Sequence, residues 1–180
     1  MRHPIAPRTL PWAALLLAVT PLLAGCGLRP LYGGGSSGAV ARNLGSVEIA
    51  PIEGKSGWLV RNALHDRLEA ISGGNGPHYR LVVKLDDQIT GIGVRPDDAV
   101  TRERRTLRAR YQLFDGATGA VVIDATTGSD VGIDVASSEY ATIAAEDTAL
   151  ERLSQVIADQ IIIRMAQRVS ADPAATPGAP

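Results

Sequence analysis

The 180-residue sequence predicts an α+β fold, a two-layer sandwich in which two helices pack on one face of a four-stranded, mostly antiparallel sheet. Three features carry this reading. Hydrophobic periodicity runs in the order strand, helix, three strands, helix; the middle strands alternate between apolar and polar residues; and each helical segment carries one apolar stripe. A sheet that is wet on one face and two one-sided helices satisfy each other when both helices cover the dry face.

The elements follow in order. Ser46-Val47-Glu48-Ile49-Ala50 alternates with period two and is stopped by Pro51, which gives a short first strand. Over residues 57–72, Val60, Leu64, Leu68 and Ile71 recur at helical spacing, and Gly73-Gly74 closes the segment. Over residues 79–85, Tyr79, Leu81, Val83 and Leu85 alternate with Arg80, Val82, Lys84 and Asp86, the pattern of a half-buried strand. The run 101–114 points Leu107, Ala109, Tyr111 and Leu113 inward and leaves an arginine-rich face outside. Phe114-Asp115-Gly116-Ala117-Thr118-Gly119 has hairpin composition, and Val121, Ile123 and Ala125 then start a fourth strand that runs towards Val135. Residues 138–169 form the longest helix, with Ser137 or Ser138 as its cap and Glu139 in its first turn. Its inward stripe is Leu150, Leu153, Ile157, Ile161 and Met165.

Outside this block the composition changes. Arg2 and Arg8 precede an apolar stretch from about Leu10 to Leu23, and Leu23-Ala24-Gly25-Cys26 has the form of a lipobox. The stretch is interrupted by Pro11 and Pro21 and is shorter than the ~20 apolar residues that a spanning helix needs. Residues 1–25 therefore read as a cleaved export signal, with Cys26 as the lipid-attachment residue of an anchored mature chain. A thiol is required there because the sulfur must accept a diacylglyceryl group. Two or three acyl chains, palmitate among them, make such anchoring stable where one does not. Residues 26–45, with Gly33-Gly34-Gly35-Ser36-Ser37-Gly38, read as a lipidated flexible linker, residues 46–170 as a periplasmic domain, and residues 171–180 as a disordered tail.

Charge narrows the function. Removing residues 1–25 takes away two arginines and no acid, so 16 Lys+Arg remain against 19 Asp+Glu, a net charge of −3. That balance, with Trp58 and Phe114 the sole mature Trp and Phe, argues against nucleic acid. His65 and His78 are the mature histidines, and neither sits in a nucleophile or metal motif; no G-x-S-x-G, H-E-x-x-H or P-loop occurs. Asp97-Asp98 alone is weak evidence for a cation. The expectation is a protein that is not an enzyme and uses no metal or cofactor.

A cationic strip is the candidate site. Strand parity places Arg102, Arg104, Arg108 and Arg110 on one face over roughly 27 Å at ~3.4 Å per residue, with Arg105 on the other. If the strand over 79–85 pairs alongside, Arg80 and Lys84 extend the strip. Guanidinium forks suit phosphate because they stay charged and bind two oxygens at once. The competing readings are edge protection of an exposed strand and contact with acidic groups of a protein partner.

The expected mature start, Cys26-Gly27-Leu28-Arg29-Pro30-Leu31-Tyr32-Gly33, resembles the C-G-F-x-P-L-Y-G opening of one branch of the LPS-assembly lipoproteins, the LptE family, with Leu28 in place of the usual aromatic residue. Length, element order and the long last helix resemble the family too. The resemblance implies a lipoprotein of the outer membrane, lipid-anchored on the periplasmic side. It further implies one-to-one pairing with the β-barrel LptD, which such proteins plug and help to assemble, and binding of lipopolysaccharide on its way to the cell surface. The strip would then meet lipid A phosphates, inner-core sugar acids or the barrel wall. Gly91-Ile92-Gly93-Val94-Arg95-Pro96-Asp97-Asp98 reads as an exposed loop between the middle strands, either a plain connection or a segment that enters a barrel. The alternatives are an auxiliary lipoprotein of an ABC-type phospholipid transport system and a barrel-assembly scaffold with no ligand site.

Overall fold

A computed structural model describes Leu44 and residues 46–71, 78–94 and 100–170. The order is β1 (Ser46–Ile49), α1 (Gly54–Ile71), β2 (His78–Val94), β3 (Val100–Asp115), β4 (Val121–Asp134) and α2 (Glu139–Ser170). The four strands form one sheet in the order β1-β2-β3-β4. β1 pairs in parallel with β2, from Ser46 opposite His78 to Ile49 opposite Leu81, while β2, β3 and β4 form an antiparallel meander. The parallel pair needs a crossover, and α1 supplies it. The α+β class, the element order and the mostly antiparallel sheet are as the sequence predicts.

Alternation decides which face is covered. Leu81, Leu107, Tyr111 and Leu113 of the sheet are buried with Val60 and Leu64 of α1 and Leu150, Ile157, Ile161 and Met165 of α2. Full burial of one such side chain contributes about 1.5–3 kcal/mol. All of these sheet residues have the same parity, so both helices lie on one face and the other is left open. Within the helix layer, Lys55 Nζ donates to Asp147 Oδ1 at 2.6 Å, and Arg67 Nε bonds Asp159 twelve residues further along each helix. Equal spacing on both sides means that α1 and α2 run in the same direction. Ser154 is the polar residue buried in this core, and its hydroxyl meets no hydrogen-bond partner among the described residues. Ser154→Ala is expected to raise stability by about 1 kcal/mol, because it removes an unsatisfied buried group; a lower urea midpoint would contradict this.

Two boundaries differ from the sequence reading. α1 starts at Gly54, three residues earlier than expected, because its polar first turn carries no apolar stripe but is held by the Lys55–Asp147 pair. Gly54 enters the helix with φ 79°, a value glycine adopts without strain. β2 continues to Val94 instead of ending near Leu85, so Gly91-Ile92-Gly93-Val94 is strand and not loop, with register shifts at Gly93. β4 runs to Asp134, as expected of a strand heading towards Val135, and Val135 itself still donates to Thr101 O at 3.0 Å. The lipobox and Cys26, most of the 26–45 linker, Arg95 to Asp98 and the 171–180 tail lie outside the described residues.

Candidate functional site

The open face of the sheet is built by the residues of alternate parity on β2, β3 and β4. Arg102, Arg104, Arg108 and Arg110 all project there and are exposed, as are Arg80 and Lys84 of β2, with Lys84 directly opposite Arg110. Arg105 turns to the helix side, where Nε and Nη2 donate to Asp87 at 2.9 and 2.7 Å and Nη1 donates to the Glu146 carbonyl of α2 at 2.9 Å. The Asp87 carboxylate, through that hydrogen bond, raises the Arg105 pKa above its ordinary value. The structure therefore brings the six expected cations to one face and sends the seventh through the sheet to clamp α2.

The strip is not uniformly cationic, because β4 lays aspartates beside it. Arg102 Nε donates to Asp134 at 2.9 Å, Arg104 stands 3.6 Å from Asp130, and Arg110 donates twice to Asp124, at 3.3 and 3.1 Å. Gln112 adds a third bond to Asp124 at 2.8 Å, and the Arg110 and Gln112 hydrogen bonds hold the Asp124 carboxyl below the usual carboxylate range. A lowered pKa favours the folded form once pH is above the unfolded value, about 3.9, and that contribution is lost as pH falls through the folded one. Arg80 lies over the Phe114 ring, 5.4 Å from its centroid. Arg108 and Lys84 form no ion pair among the described residues.

Those two cations flank a concavity of about 580 Å³ whose lining includes Thr106, Arg110, Thr126 and Gly128. Gly128 stands opposite Arg108, and a Cβ there would lie 3.2 Å from Arg108 Cγ, so its missing side chain leaves the Arg108 stem room against β4. Lys84 and Arg108, with the threonine hydroxyls beside them, can meet one compact anion there, while Asp86, directly opposite Arg108, and Asp130 share the lining and the paired arginines surround it. The aspartates were legible in principle. Given a hairpin turn over 115–120, Asp124, Asp130 and Asp134 share one parity, and register brings them beside the arginines.

No helix among the described residues is long and apolar enough to cross a membrane. The fold and this face define a class: a two-layer α+β domain with one sheet face covered by helices and the other open and charged. The chain belongs to the LptE lipopolysaccharide-assembly family, whose sequence profile matches residues 44–165. Among solved structures it is similar to a candidate lipoprotein from Caulobacter crescentus CB15, at 29% identity and TM-score 0.61, covering 75% of this chain and 100% of that one. An uncharacterised lipoprotein B from Nitrosomonas europaea (13% identity, TM-score 0.55, 73% and 89% covered) shares the fold. So does a minor lipoprotein from Acinetobacter baumannii (13%, 0.50, 67% and 94%). No curated protein matches the sequence.

Proposed function

We propose that this protein is an outer-membrane lipoprotein, anchored on the periplasmic side through Cys26 after removal of residues 1–25, that binds lipopolysaccharide during its transport to the surface. Its partner in this reading is an LptD-like β-barrel, paired one to one, which it plugs and helps to assemble. Residues 26–45 would be the tether and residues 171–180 a tail outside the folded domain. Membership of the LptE family supports the assembly role, and one observation supports the ligand: Lys84 and Arg108, which form no ion pair among the described residues, stand together at the concavity on the open face.

The chemistry is charge-assisted hydrogen bonding. A lipid A phosphate or a core sugar acid presents two or more oxygens to a guanidinium fork and an ammonium, each bond being roughly twice as strong as a neutral one. Arg102, Arg104 and Arg110 already donate to or face aspartates, and Arg80 rests on Phe114, so they steer the anion more than they bind it.

The test is lipopolysaccharide affinity of the purified full-length protein. The double substitution Lys84→Gln with Arg108→Gln is expected to weaken binding about ten-fold, equivalent to ~1.4 kcal/mol. Arg102→Gln with Arg104→Gln, which removes the same formal charge, is expected to weaken it about three-fold or less. Equal losses in the two doubles would reduce the site to bulk charge, and unchanged affinity in the first would remove it. Co-purification with a one-to-one outer-membrane barrel is expected from solubilised envelopes; recovery of a phospholipid transporter in its place would overturn the partner.

A further inference from the structure

The outer edge of β4, which shares Thr126, Gly128 and Asp130 with the lining of the concavity, offers main-chain groups of its own. β4 ends the sheet, and no strand among the described residues pairs with its far side. Backbone geometry identifies the open groups. Val135 donates to Thr101, and odd-numbered residues of β4 stand opposite odd-numbered residues of β3, so the odd residues face β3. Asp124, Thr126, Gly128, Asp130, Gly132 and Asp134 consequently turn their N–H and C=O groups away from the sheet.

Edges of this length are ordinarily blunted by lysine, proline or a bulge. From Ile123 to Asp134 there is no lysine or proline, and the register with β3 is unbroken. Charge selects the occupant. Asp124, Asp130 and Asp134 flank the edge on the open side of the sheet, while Arg164 and Arg168 of α2 stand beside Val122 to Ala125 on the helix side. A second copy of the chain is the poorer occupant. An antiparallel pairing centred on Ser129 sets Asp124 against Asp134, and one centred on Thr127 sets Asp124 against Asp130, where like charges destabilise a sheet; one centred on Gly128 avoids this, but residues 121–134 carry no lysine or arginine, so it offers the aspartates no cation.

We propose that the β4 edge accepts an added strand from a different polypeptide, one that carries lysine or arginine on the side facing Asp130 and Asp134. The added strand extends the meander by main-chain hydrogen bonds to the six outward residues, and its basic side chains meet the oxygens of Asp130 and Asp134 that Arg104 and Arg102 do not engage. The edge shares Thr126, Gly128 and Asp130 with the concavity lining, but it binds through main-chain groups and the concavity through the Lys84 and Arg108 side chains, so different variants test the two.

Gly132 separates the possibilities. A Cβ there has open space, with Glu103 O at 4.0 Å its nearest neighbour, so Gly132→Ala fits; proline is tolerated on an edge strand whose N–H faces outward, and only proline removes that N–H. The probe is an eleven-residue peptide alternating lysine and valine, with a glutamate-for-lysine version as control, added to the full-length protein. Amide exchange at Thr126 and Asp130 is the readout. The lysine peptide is expected to slow exchange in the wild type and in Gly132→Ala, and to bind Gly132→Pro about ten-fold less tightly, as does the glutamate peptide to the wild type. Equal binding to Gly132→Pro, no binding at all, or protection that instead rises with protein concentration in the absence of peptide would overturn the proposal.

Discussion

Arg105→Ala lowers the unfolding free energy by about 2–4 kcal/mol, whereas Arg104→Ala, one residue earlier, changes it by less than about 0.5 kcal/mol. The two side chains leave opposite faces of one strand. Arg104 is exposed, and its nearest carboxylate, Asp130, is 3.6 Å away in water. The Arg105 side chain is 12% exposed and forms two hydrogen bonds to Asp87, itself 20% exposed, and a third to the Glu146 carbonyl. Removing it leaves a largely dehydrated carboxylate without its countercharge and detaches the start of α2 from the sheet. Chemical denaturation of the two variants checks this. If both behave alike, the clamp does not form.

Gly57→Ala is expected to destabilise the protein by about 2 kcal/mol, although the same exchange in an open helix interior stabilises by about 0.5–1 kcal/mol. The sign reverses because of Ile52. A Cβ at Gly57 would lie 2.6 Å from the Ile52 carbonyl oxygen and 2.7 Å from its carbon, and backbone atoms cannot rotate aside. The close approach lets α1 fold back directly over the segment that joins it to β1. A thermal midpoint equal to or above the wild type would mean that this segment shifts freely.

The sequence showed most where a covering layer exists. β3 is legible because Leu107, Ala109, Tyr111 and Leu113 alternate under α1 and α2, and the same parity correctly separates Arg105 from its neighbours. β2 is legible to Leu85 and then lost, through Asp87, Ile89, Gly91 and Gly93. α1 begins with Lys55 against Asp147, close to where Arg105 joins Asp87 and Glu146, so beyond that level no α1 residue requires an apolar partner. Ile89 is accordingly 42% exposed. Strand survives there by pairing with β3, which leaves no periodic trace. The cations of the open face were likewise found by parity, but their neutralisation was not, since that depends on the register of β4 and not on β3 alone.

The helix layer also dictates an order of events during synthesis. Lys55 and Arg67 find their partners 92 residues later, in the last element of the chain, whereas β2, β3 and β4 pair with immediate neighbours. Loop closure makes the meander the early-forming part, and α1, whose main packing surface is α2, waits for the C-terminus. Until residues 139–170 are available, the apolar face of the sheet lacks its cover and the first helix its main partner. A binder of exposed apolar segments therefore has its window before the last helix emerges.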